Sequence, residues 1–191
     1  MLLLRDRLKI MKTKENKNID IIKKTIIDVQ NFPKPGIVFR DVTPLLHNPQ
    51  KFAICINEMV KLLKNKKFDI VAGMESRGFW FGLPIAQKLG LGFVPIRKKN
   101  KLPREVISAS YALEYGYDTL CIHKNDIKKG QNVLVVDDVI ATGNTIIATK
   151  KMFNKIGANF TDCLVLAELQ KMNGKQRVKK VGINLFSLIK M

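Results

Sequence analysis

Two apolar periods alternate along this chain. Ile19, Ile22, Ile26 and Val29 recur at helical spacing, so the pattern predicts an amphipathic helix over 19–30, broken by Pro33 and Pro35. Asn48-Pro49 marks a turn, and Phe52, Ile56, Met59, Val60 and Leu63 predict a second helix over 50–64. Short apolar runs then alternate with helical stretches. Strands are expected at 68–72, 92–96, 133–136, 160–167 and near 183–189, and helices at 78–89, despite Pro84, and at 145–156, where Gly157 closes the helix. Residues 98–104 read as basic and irregular, and 108–122 as two antiparallel strands turning around Glu114–Asp118.

Strands that alternate with helices bury their apolar faces best as a parallel sheet covered on both sides. The expected fold class is therefore α/β, a central, mostly parallel, twisted sheet flanked by helices. The segment before Phe68 caps this core as a small N-terminal hood. Residues 1–18 are expected to be an N-terminal extension open to disorder, and 19–191 a single domain. Ligands of such sheets sit at the carboxyl ends of the strands.

Composition narrows the classes. The 191 residues are 46% hydrophobic and 26% charged, which suits a globular chain that folds without staples. Cys55, Cys121 and Cys163 are scattered with no C-x-x-C pair, which argues against structural zinc and fits reduced thiols in the cytoplasm. Met1-Leu-Leu-Leu4 is interrupted by Arg5 and Asp6, too short for a signal peptide, and Met11 is an alternative start. No run approaches a membrane span. A net charge of +18 invites nucleic acid, but the lysines are spread along the chain, aromatics are only 7%, and neither an RNP nor a zinc-finger pattern is present. The charge is expected instead to attract small polyanionic substrates.

The strongest chemical signal is Val133–Thr145. A short apolar strand leads to two carboxylates, Asp137 and Asp138, then to Ala141-Thr142-Gly143-Asn144-Thr145 and a helix. A small-residue loop at a helix N-terminus aims several backbone N–H groups at one point, which makes an anion site. Thr142 and Thr145 can add hydroxyl donors. Two carboxylates beside a phosphate make sense if the ligand also carries a ribose diol, or Mg²⁺ held through water. Taken singly, either aspartate reads as an acidic residue at a helix start.

This unit resembles the phosphoribosyl-pyrophosphate signature of the type I phosphoribosyltransferases. Phe32–Leu46, Glu75–Gly82, Ile96–Pro103 and Ser110–Gly116 are similar to four further motifs of the adenine phosphoribosyltransferase family, in the same order. The resemblance implies that Ala141–Thr145 wraps the donor's 5′-phosphate, that Asp137 and Asp138 hold the ribose hydroxyls, and that Ser76 and Arg77 grip pyrophosphate, with a cis peptide at Glu75–Ser76. It implies that Arg97 and Lys101, in a mobile loop, stabilise the leaving group, that Glu114 is the acid/base group beside the base, and that Tyr115 packs over the leaving-group side. Adenine would be held by Val38, Phe39 and Arg40, with Phe39 and Leu169 sandwiching the ring, although plain packing accounts equally for Leu169. Mg²⁺ would arrive on pyrophosphate with no direct protein ligand, and a homodimer is expected. Asn144 departs from the family, which carries a second glycine there; it is expected to tolerate positive φ. Open alternatives are a different purine base, a regulator that senses phosphoribosyl pyrophosphate, and a secondary RNA-binding role.

Overall fold

Residues 17–112 and 116–191 are described by the computed structural model. The chain divides into two compact units between Lys61 and Leu62.

In the first unit, residues 17–23 are helical (α1), followed by strands β1 (Ile27–Gln30) and β2 (Val38–Asp41), helix α2 (Thr43–Leu46) and helix α3 (Pro49–Lys61). The helix expected over 19–30 therefore stops early. Ile22 and Ile26 are buried, as the stripe requires, but the Thr25 hydroxyl donates to the Ile22 carbonyl at 2.6 Å and the chain turns. Ile27–Gln30 then pairs antiparallel with Val38–Asp41, Val29 opposite Phe39. β-Branched Thr25, Ile26, Ile27 and Val29 favour this strand over a helix.

The second unit carries β3 (Ile70–Met74), α4 (Gly78–Leu89), β4 (Gly92–Lys98), β5 (Val106–Ala112), β6 (Tyr117–His123), β7 (Asn132–Ile140), α5 (Asn144–Ile156), β8 (Asn159–Glu168), a 3₁₀ turn at Gln170–Met172, α6 (Gly174–Lys180) and β9 (Asn184–Lys190). Among the described residues these strands form one seven-stranded sheet in the order β5-β6-β4-β3-β7-β8-β9. β4, β3, β7, β8 and β9 run parallel; β5 and β6 form an antiparallel hairpin annealed to the end of β4.

The connection from β3 to β4 moves one way across the sheet and that from β7 to β8 the other. Right-handed crossovers then place α4 on one face and α5 and α6 on the opposite face. α4 accordingly packs on β3, β4 and β7, and α5 on β8 and the β5–β6 hairpin. Val135, Val165, Met152, Phe153 and Phe160 fill the core, the two rings 5.7 Å apart edge to face. Among the described residues, no helix is long and apolar enough to cross a membrane.

Candidate active site

The direction of winding reverses between β3 and β7, and a crevice opens at their carboxyl ends. Two loops leave from there. The loop after β3 holds Glu75, Ser76 and Arg77, and its Glu75–Ser76 peptide is cis, as the resemblance implies. The loop after β7 holds Ala141–Gly143.

β7 is longer than its apolar run. It keeps pairing with β8 past Val136, Asp137 opposite Val165 and Ile140 opposite Glu168, so both aspartates lie on the strand and not after it. The Asp138 N–H donates to Oδ1 of Asp137 at 2.9 Å. Asp138 is 2% exposed, and Arg77 Nε lies 3.0 Å from its Oδ2. That oxygen has no aligned hydrogen-bond donor among the described residues, so the pairing with Arg77 is one of charge. Burial raises both carboxyls above the ordinary carboxylate range. For Asp137 the charge of Asp138 pushes the same way, whereas for Asp138 the Arg77 guanidinium opposes the rise.

α4 must come close for Arg77 to reach this pair. A Cβ on Gly78 would lie 2.7 Å from the Val136 carbonyl oxygen and 3.2 Å from Asp137 Cα, both backbone atoms that cannot step aside. Gly78→Ala is expected to lower Tm by about 4–8 °C, from roughly 2 kcal/mol of overpacking. Differential scanning calorimetry checks this, and an unchanged Tm would show that the helix can shift.

Gly143 takes φ 77° as the residue preceding α5. The first N–H groups of α5 have no intrahelical acceptors and open at the strand ends, where the helix dipole is positive. The crevice thus combines a backbone anion site, an acid pair and a guanidinium.

The Phosphoribosyl transferase domain family model matches residues 41–191. The adenine phosphoribosyltransferase of Salmonella heidelberg (strain SL476) is 50% identical over 171 residues, 90% of this chain and 93% of that one. The crystal structure of adenine phosphoribosyltransferase from Thermoanaerobacter pseudethanolicus has a TM-score of 0.87 at 44% identity and covers 91% of this chain and 99% of its own. The chain belongs to the adenine phosphoribosyltransferases. The enzyme of this family from Saccharomyces cerevisiae, solved in complex with an imino-altritol bisphosphate and adenine, has a TM-score of 0.84 at 38% identity, covering 91% and 99% of the two chains.

Within this family frame, Arg97 needs a correction. It lies on β4 and not in a loose loop, and its Nε donates to Glu75 Oε2 at 3.0 Å. The Lys98 N–H donates to the same oxygen at 2.6 Å. Burial alone would raise the Glu75 carboxyl, but these two hydrogen bonds and the charges of Arg97 and Lys101 outweigh it and hold it below the usual range. Arg97 therefore braces the loop after β3, and the irregular segment begins only at Lys99. Lys101 is exposed there. On β5, burial raises the Tyr111 hydroxyl, helped by Asp118, to which it donates at 3.1 Å, and by the charge of Asp137.

Asn144 is the first residue of α5 and helical; Gly143 carries the positive φ, so the substituted position needs no glycine freedom. Glu114 and Tyr115 lie outside the described residues. Val38, Phe39 and Arg40 lie half-buried on β2 of the first unit. Phe39 meets Phe32 edge to face at 5.1 Å, and Arg40 pairs with Asp28 while its Nε has no hydrogen-bond partner among the described residues. In the second unit, Leu169 follows β8, half-buried, its N–H bonded to the Ile140 carbonyl. Sequence reasoning missed α6 and with it Arg177, whose guanidinium contacts the loop after β7. A Gly-Lys-Gln-Arg stretch has no apolar period to announce it.

Proposed function

We propose that this chain transfers the 5-phosphoribosyl group from phosphoribosyl pyrophosphate to adenine, giving AMP and pyrophosphate in purine salvage. The observation that carries the reading is the Asp137–Asp138 pair facing Arg77 beside the Gly143 loop. This arrangement offers a 5′-phosphate its N–H donors and a ribose diol its two acceptors within one crevice.

Ala141–Thr145 hold the 5′-phosphate, Asp137 and Asp138 orient the ribose, and Arg77 with the Ser76 backbone holds pyrophosphate. Alignment of the anomeric carbon between base and leaving group supplies most of the acceleration, and charge stabilisation by Arg77 and Lys101 adds to it. Arg97 acts by holding the loop that presents Arg77. Glu114 accepts the proton that leaves the adenine ring as N9 bonds to carbon. Tyr115 covers the leaving-group side. In the first unit, Phe39 offers the purine an apolar face, and Arg40 and the backbone at Val38 offer polar contacts.

Mg²⁺ fits the donor set. Asp137 and Asp138 stand side by side at the crevice, and two carboxylates near substrate phosphates, which could hold the ion through water, are a usual Mg²⁺ environment. Among the described residues no three acidic, histidine or cysteine side chains cluster to cage the ion by themselves. Carried in with pyrophosphate, the ion would supply charge neutralisation on the leaving group. The active form is read as a cytoplasmic homodimer.

The test is direct. Incubated with Mg²⁺, phosphoribosyl pyrophosphate and each purine base separately, the protein is expected to form AMP from adenine at a kcat/KM at least about 100-fold above that for guanine or hypoxanthine, because unpaired polar edges discriminate strongly. Comparable turnover of another base overturns the specificity, and binding of the donor without turnover of any base favours an effector-sensing protein.

A further inference from the structure

α6 grips the phosphate loop along one face. Gly174, Arg177 and Val178 are spaced to share a side of the helix. A Cβ on Gly174 would collide with the Ala141 carbonyl oxygen, and Val178 Cγ1 lies where a Cβ on Gly143 would be 2.8 Å away. Between them, Arg177 Nη1 donates to the Thr142 carbonyl at 2.9 Å and Nη2 to Asn144 Oδ1 at 2.7 Å. Every residue from Ala141 to Asn144 thus meets α6. Arg177 is exposed and borders a cavity of about 280 Å³ with Tyr111, Asn144 and Lys151, so its two hydrogen bonds rather than close packing fix it.

We propose that Arg177 is a positioning residue for the donor's 5′-phosphate. It acts through Asn144, holding that side chain to α6 so that the loop's backbone N–H groups stay converged on the anion. The fork matters as well as the charge, because one guanidinium spans a carbonyl and a side-chain amide at once. The inference rests on the proposed phosphoribosyl transfer. It also accounts for the Asn144 side chain: the arginine takes up its amide oxygen.

The test pairs steady-state kinetics with calorimetric titration of Mg²⁺–phosphoribosyl pyrophosphate into wild type, Arg177→Ala, Arg177→Lys, Asn144→Gly and Asn144→Gly/Arg177→Ala. Arg177→Ala is expected to raise the donor KM and Kd about five- to tenfold, since hydrogen bonds from a charged group are worth more than neutral ones but this pair is solvent-exposed. The kcat and the adenine KM should change less than about twofold, a split that general loss of structure would not produce. Lysine should not restore the donor KM. In the Asn144→Gly background, removing Arg177 should cost clearly less than in the wild type, because only its hydrogen bond to the Thr142 carbonyl remains to be lost. Equal donor binding by Arg177→Ala and wild type overturns the proposal, as does full rescue by lysine or an undiminished effect in the Asn144→Gly background. Failure of the wild type to bind the donor overturns the underlying function instead.

Discussion

Asp137→Asn is expected to lower kcat/KM for phosphoribosyl pyrophosphate about 100-fold, the loss of one hydrogen bond between a charged acceptor and a ribose hydroxyl plus the disturbed partner. The same variant should be about as stable as the wild type near pH 3, below the ordinary carboxylate range, and progressively more stable than it as pH rises toward about 8. Burial and the adjacent Asp138 raise the Asp137 carboxyl in the folded protein. A carboxyl whose folded pKa exceeds its unfolded value stabilises the fold only while protonated. That contribution is complete below the ordinary carboxylate range and is lost as pH climbs through the raised folded value. Asparagine resembles the protonated acid. Its Oδ1 can still accept from the Asp138 N–H, and it never ionises, so the stability gap should widen with pH. Thermal melts of both proteins across that pH range check the sign. A variant progressively less stable than wild type as pH rises would show that the carboxylate is structural and not held for a ligand.

Glu114→Gln is expected to reduce kcat about 100- to 1,000-fold, the range of general acid–base catalysis, with the donor Kd changed less than about twofold. Glutamine keeps the size and hydrogen-bonding reach of glutamate but cannot take a proton. Adenine can therefore bind, yet the ring must lose its proton without a positioned acceptor. The acid limb of the wild-type pH–kcat profile should vanish in the variant. A kcat within about threefold of wild type, or a donor Kd that rises in parallel with the loss, would remove Glu114 from the chemistry.

The β7 loop was readable in the chain because its signal is local. Four consecutive apolar residues, two acids and a Thr-Gly-Asn-Thr run specify strand, carboxylates and helix start without help from elsewhere. α4 was readable to the residue for a similar reason: Gly78 opens it and Gly90, at φ 68°, closes it. Residues 27–30 were misread because their period suits a helix equally well, and only the arrival of Val38–Asp41 alongside decided for a strand. The resemblance of Ile96–Pro103 to a mobile loop points Arg97 toward a loop, and nothing in the adjacent residues corrects it. Pairing of the β4 end with β6, and the Glu75 carboxylate waiting 3.0 Å away, are long-range facts.

The sequence by itself determined the α/β fold class, the acid pair, the anion loop and the family motifs, since each is written in runs of adjacent residues. Tertiary structure alone decided that Arg77 faces Asp138, that burial raises both aspartates, and that α6 reaches back to hold Thr142 and Asn144. The reason is physical. Those effects depend on desolvation and on pairs separated by 33 or more positions, which exist only once the crossovers bring the strand ends together.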